Sequence, residues 1–261
     1  MKRTLFLIYG AVVYLLFNLA FIYLIGFVGN FFVPNTIDGA VTMGTLPALL
    51  INIGLVLIFA VQHSVMARSA FKEKWTKIIP QEIERSTYVL FSTAALCLLM
   101  WFWQPLGGVV WSTDAPVLKA ILYALFGLGW AILLLSTFMI NHFDLFGLRQ
   151  VWLAYNKKPY IHLSFKTPFF YKYVRHPLYL GFMIAFWSTP TMTVTHLLLA
   201  IGFTLYILKA IDWEEADLIK ELGQPYVEYR KKVSKIIPFL GGGKKTVNPD
   251  SEPVVEVLSS N

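Results

Sequence analysis

Long apolar runs separated by short polar stretches organise this chain. Six runs stand out: Leu5–Val28, Leu46–Met66, Tyr88–Trp103, Val117–Ile140, Leu178–Ser188 and Val194–Ile211. Crossing a bilayer core takes about 20 apolar residues. A segment in lipid must satisfy its own backbone, so these runs predict helices. No stretch alternates with the period of two that a membrane barrel requires. The fifth run is short, and Thr189-Pro190-Thr191 interrupts the apolar pattern after it. Proline there marks a turn, so Leu178–Ile211 reads as a tight helical hairpin. The alternative is one long kinked span, which would send the tail to the other side.

Composition agrees with that pattern. The chain is 57% hydrophobic and 14% charged, where a soluble domain carries about 25% charged residues. The expected fold class is an all-α polytopic membrane protein of five to six transmembrane helices, including a C-terminal helical hairpin, with interfacial helices beside it. The net charge of +7 is explained by the positive-inside rule rather than by nucleic acid. With the N-terminus in the cytoplasm and the hairpin returning, all of the 22 Lys and Arg residues except Lys119 fall on the cytoplasmic side. Loops 30–45 and 104–117, on the other side, hold none. The start MKRTLFLIYG has a charged n-region, but its apolar stretch is too long for a cleaved signal and reads as a retained first helix. That helix is either an anchor or a packing partner. The one cysteine, Cys97, reads as a buried, inert thiol. There is no obvious internal repeat, which argues against an inverted-repeat transporter. A single domain is expected over 1–240, with a disordered cytoplasmic tail over 241–261.

Two blocks near the C-terminus carry candidate chemistry. The first reads YKYVRHPLYLG, Tyr171–Gly181. Pro177 disfavours an α conformation at His176 and suits the first turn of a helix. Arg175 and His176 therefore approach a helix N-terminus at the membrane edge, where an anion is favoured. Tyr171, Tyr173 and Tyr179 add aromatic faces and hydroxyls, and Gly181 admits a ligand or another helix. The same residues also suit a plain interfacial belt of snorkelling Arg and Tyr. The second block reads DWEEADLIKELGQPYVEYRKKVSKIIP, Asp212–Pro238. Asp212, Glu214, Glu215 and Asp217 are ill placed at a helix C-terminus. The helix is better continued to Leu222 with Gly223 as its cap. After it, Pro225 opens an amphipathic helix with Tyr226, Tyr229, Val233 and Ile236 on one face. No His or Cys accompanies the acids at ligand spacing, so no metal is expected.

RHPLYLG followed by EE-x6-LG-x2-Y-x2-Y-x3-V-x3-IP resembles the C-terminal signature of the isoprenylcysteine carboxyl methyltransferase-like superfamily. These are integral membrane enzymes that use S-adenosylmethionine. The resemblance covers about 168–240. It implies that Tyr171, Arg175, His176, Pro177, Tyr179, Leu180 and Gly181 hold that cofactor, with Glu214 or Glu215 and Tyr226 opposite. VQHSVMAR at Val61–Arg68, IERSTYVLFS at Ile83–Ser92, WQP at Trp103–Pro105 and NHFDLFGLRQVWL at Asn141–Leu153 are similar to bacterial members that methylate methanethiol to dimethyl sulfide. They extend the resemblance to 60–238 and imply a small thiol as partner and the bacterial inner membrane as location. The thiolate is the competent nucleophile. Arg85 or Arg149 could favour it, and His142, His63 or Asp144 could take the proton. A second reading is a superfamily enzyme with a larger acceptor, a prenylated cysteine or a lipid amine. A third follows from QHSVMAR, which is also similar to NnrU-like proteins and haem-using isomerases, with His63 and His142 as axial ligands.

Overall fold

The computed structural model describes residues 1–161 and 164–238. Five helices are long and apolar enough to cross a membrane: α1 (Lys2–Gly29), α2 (Thr45–Ala67), α4 (Gln81–Phe102), α5 (Pro116–Ile140) and α9 (Val194–Leu222). Leucines, isoleucines and phenylalanines on their outer faces stay exposed, as a lipid-facing surface requires. Short helices α3 (Ser69–Trp75), α6 (His142–Leu145) and α7 (Leu148–Tyr155) lie between the spans. The protein is an all-α polytopic membrane protein.

The fifth apolar run forms α8 (Pro177–Trp187). Its 11 residues rise about 16 Å, half of a bilayer core. The chain then turns through Ser188–Pro190 into strand β2 (Thr191–Thr193), which pairs antiparallel with β1 (Val109–Ser112). Thr193 accepts a hydrogen bond from the His196 N–H at 3.0 Å and so caps α9. The hairpin is real, and the single kinked span is excluded. This small ribbon was not legible in the sequence. Five long helices and the α8–α9 hairpin place residue 1 and the loops after α2, α5 and α9 on the same face among the described residues. That face carries Arg68, Arg85, Arg149 and Arg175 and is called the basic face below.

Three other expectations change, and one open alternative closes. The third span begins at Gln81, not Tyr88, because Glu82 and Glu84 suit a first helical turn. Cys97 is exposed on the apolar outside of α4 rather than buried. The last helix, α10 (Gln224–Lys232), stops before Val233, and the remainder runs extended. Finally α1 is a packing partner: it lies along α4 and α7, and a Cβ at Gly10 would meet Val151 Cγ2 at 2.6 Å. The expected tail, 241–261, lies outside the described residues.

α9 runs to Leu222, as the acidic cluster demanded. Gly223 ends it with φ 64° and ψ −138°, a conformation that side chains resist. α5 and α8 touch backbone to backbone. A Cβ at Gly181 would sit 2.6 Å from the Gly129 carbonyl oxygen and 2.7 Å from Leu133 N. Gly181 therefore serves another helix in this structure, the second of its two possible uses.

Candidate functional site

Three polar clusters lie toward the basic face. The first is built by the two C-terminal blocks. A 3₁₀ turn at Phe169–Lys172 leads into an extended Val174–His176, and Pro177 starts α8. The strand-like segment after α10 runs beside it: Val174 pairs with Ser234, and Arg175 N donates to Ser234 O at 2.8 Å. That pairing aims Arg175 and His176 at α9. Arg175 Nε donates to Glu215 Oε1 at 2.7 Å, and His176 Nε2 lies 3.0 Å from the same oxygen. Arg230 Nε reaches Glu215 Oε2 at 3.1 Å. The Glu215 side chain is 5% exposed, so three donors surround one buried carboxylate. Arg175 also donates to the carbonyls of Arg230 and Val233.

Glu214 turns elsewhere, because successive helical residues differ by about 100°. Its side chain is 42% exposed. Tyr179 donates to Glu214 Oε2 at 2.9 Å, and His176 Nδ1 stands 3.9 Å from it. Tyr226 packs below with a buried hydroxyl that has no hydrogen-bond partner among the described residues. Burial raises the Tyr226 phenol pKa, and the charges of Glu215 and Glu214 raise it further. Tyr171 is pushed up in the same way by burial and Glu214. Tyr229 donates to the Tyr171 carbonyl at 2.6 Å, and Phe165 sets its ring against Tyr226 and Tyr229.

The second cluster faces the first across the seam between α2 and α4 on one side and α8 and α9 on the other. The Tyr88 hydroxyl is 2.9 Å from His63 Nε2 and 3.1 Å from Nδ1, and Ser92 Oγ is 3.1 Å from Nδ1. Ser64 and Tyr206 share a 3.2 Å hydrogen bond. The Arg85 guanidinium stacks on the Tyr88 ring at 4.9 Å and donates to Leu145 O at 2.7 Å. The Ser64–Tyr206 bond ties α2 to α9, the helix that carries Glu214 and Glu215.

The third cluster holds His142, Asp144 and Arg149, and it is structural in its contacts. Thr137 gives its one hydroxyl proton to Leu134 O at 2.6 Å. His142 Nδ1, 2.8 Å away, must therefore donate to Thr137, and Nε2 accepts from Tyr14 at 2.7 Å. The ring also stacks on Phe138. Asp144 pairs with Arg149 at 2.8 Å and accepts from Tyr160 at 3.2 Å. Arg149 in turn holds the Ile161 carbonyl at 3.0 Å. Leu180 and Pro177 line an apolar groove of about 250 Å³ with Ile132, Phe170, Val174 and Pro238.

The structure thus gathers Arg175, His176, Tyr179, Glu214, Glu215 and Tyr226, and sets His63 and Arg85 opposite them. It does not bring His142 to that seam. Sequence reasoning missed Tyr88, Ser92, Tyr206 and Arg230. Tyr88 and Ser92 stood inside the IERSTYVLFS motif without being singled out, and Arg230 stands four residues after Tyr226, on the same face of α10.

Burial of His142 lowers its pKa below the ordinary 6.5. On acidification the unfolded chain takes up this proton first. The stabilisation is complete above about pH 6.5 and is lost as pH falls through the lower folded-state value. The unfolding temperature in detergent is expected to drop between pH 7.5 and 5, and His142→Gln to flatten part of that drop. An unchanged pH profile in the variant would remove His142 from the account.

No protein-family model and no solved structure matches the chain. Among curated proteins, the methanethiol S-methyltransferase of Crocosphaera subtropica is 53% identical over 241 residues, 92% of this chain and 94% of that one. That of Mycobacterium tuberculosis is 53% identical over 239 residues, 92% and 98% of the two chains. Methanethiol S-methyltransferase 2 of Bradyrhizobium diazoefficiens is 47% identical over 244 residues, 94% of each.

Proposed function

Because this chain belongs to the methanethiol S-methyltransferase family, we propose that it methylates methanethiol to dimethyl sulfide, with S-adenosylmethionine as donor. The reaction sits at the seam between the Glu214 and His63 clusters. The basic face is the cytoplasmic side of a bacterial inner membrane, which gives a soluble donor access.

The observation that carries this reading is the division between two adjacent acids. Glu215 is spent on Arg175, His176 and Arg230. Glu214 keeps a half-exposed carboxylate that accepts from Tyr179, and the buried Tyr226 hydroxyl has no hydrogen-bond partner among the described residues. One carboxylate, one orphaned hydroxyl and aromatic faces fit an adenosine sulfonium: the acid suits its positive charge, and the tyrosines suit its ribose and base. Tyr171, Arg175, His176, Pro177, Tyr179, Leu180, Gly181, Glu215 and Tyr226 form or back this donor site. When bound, the sulfonium offers an electrophilic methyl carbon whose bond to the donor sulfur breaks as the new carbon–sulfur bond forms, leaving a neutral thioether.

The chain's own part is to ionise the thiol. The Tyr88 oxygen takes the S–H proton while its own proton passes to His63 Nε2. The Ser92 hydroxyl holds the other side of the ring. Arg85, stacked on Tyr88, favours the thiolate. Asp144 and Arg149 fasten the chain at Tyr160 and Ile161 on this side of the seam. Haem ligation by His63 and His142 has less support, since both rings have both nitrogens hydrogen-bonded.

Membranes holding the protein, given labelled S-adenosylmethionine and methanethiol, should release labelled dimethyl sulfide. Label appearing instead in prenylcysteine or lipid would overturn the acceptor. Glu214→Gln should weaken donor binding about ten- to a hundredfold, the worth of one charge-assisted contact of about 1.5–3 kcal/mol. Titration calorimetry with S-adenosylmethionine in the absence of thiol checks this, and an unchanged Kd would move the donor elsewhere.

A further inference from the structure

We infer that an aromatic floor centred on Phe203 limits the length of the acceptor's alkyl group, an inference that rests on the thiol-methylating reading above. Three helices place a phenylalanine one turn deeper in the bilayer than a polar residue of the seam. Phe59 precedes His63 by one turn on α2, Phe203 precedes Tyr206 on α9, and Phe182 follows Tyr179 on α8. Their rings connect. Phe59 and Phe203 have centroids 5.5 Å apart, Phe203 and Phe186 5.5 Å, and Phe186 and Phe182 5.5 Å. His63 lies stacked on Phe59 at 5.3 Å, and Tyr206 stands 6.4 Å from Phe203. The polar seam therefore ends on a continuous sheet of rings. Trp130 backs it against Phe182 and Phe186.

In-line transfer aligns the donor sulfur, the moving methyl and the acceptor sulfur. With Glu214 and Tyr179 holding the donor's charge toward the basic face, the acceptor sulfur sits at the level of Tyr88 and His63. Its alkyl group then points away from the donor, onto the floor. A one-carbon thiol ends there. Each further methylene must displace a ring that is packed on both sides, and cores resist such overpacking. Phe203 is the decisive ring because it is buried and touches Phe59, Phe186 and Tyr206 at once. Phe203→Ala opens room for several carbons at that point.

The test compares kcat/KM for methanethiol and 1-propanethiol in detergent-purified wild type, Phe203→Ala, Phe203→Leu and Phe59→Leu. Wild type should prefer methanethiol about a hundredfold, since one methylene in an apolar pocket is worth about tenfold or more. Phe203→Ala should cut that preference at least tenfold, chiefly through a lower KM for 1-propanethiol, with Phe203→Leu between the two. If the alanine variant does not fold, the two leucine variants carry the same test. Folded variants that keep the wild-type preference would overturn the floor. A wild type without activity on methanethiol would instead overturn the reaction itself, and the two failures are told apart by that first measurement.

Discussion

Glu215→Ala is expected to destabilise the protein strongly and to lower the yield of its folded form. The carboxylate lies among Arg175, His176 and Arg230 with almost no exposure. Removing it leaves buried positive charge without a counter-ion, a change that costs about 3–5 kcal/mol out of a total stability of about 5–15 kcal/mol. The loss propagates, because the same arginine ties down the carbonyls of Arg230 and Val233. The stretch Val174–His176 and the segment after α10 would lose what aligns them. The unfolding temperature should fall by about 6–20 °C, and the yield of detergent-soluble protein should fall with it. Glu214→Gln, one residue away, should leave both unchanged. A Glu215→Ala protein that melts with wild type would mean that the ionic knot does not hold the C-terminal blocks together.

This contrast between neighbouring acids marks the limit of what the sequence discloses. Local chemistry was legible. Pro177 starts α8, Thr189-Pro190 turns the hairpin, and Gly223 ends α9, because each acts through its own backbone. The face of each loop was legible from charge, since Lys and Arg do not cross a bilayer cheaply. The side on which a helix is packed was not. In lipid both the buried and the exposed face of a span are apolar, so periodicity gives no warning that Cys97 points outward. The same gap hides partnerships between helices. His63 needs Tyr88 from α4, and His142 needs Tyr14 from α1, 128 residues away. Both histidines looked alike as residues closing an apolar run. Only their neighbours separate one on the proposed reaction seam from one held inside a packed corner.

Tyr88→Phe should lower kcat about 10²- to 10³-fold near neutral pH, within the range that general acid–base catalysis contributes. The substitution keeps the ring, so the stacked Arg85 guanidinium stays in place and the aromatic wall is preserved. It removes the one hydroxyl that links the seam to His63 Nε2. KM for methanethiol should change little, because the phenol acts on the proton rather than on the alkyl group. The informative readout is the pH profile. An alkyl thiol is almost wholly protonated near neutral pH, and the thiolate fraction in solution rises tenfold for each pH unit. A variant that has lost its proton acceptor should therefore recover with rising pH and narrow its deficit against wild type. His63→Asn should give the same slope. A residue that only shapes the site would lower activity by a constant factor at every pH, and that outcome in both variants would exclude the Tyr88–His63 pair as the proton's destination.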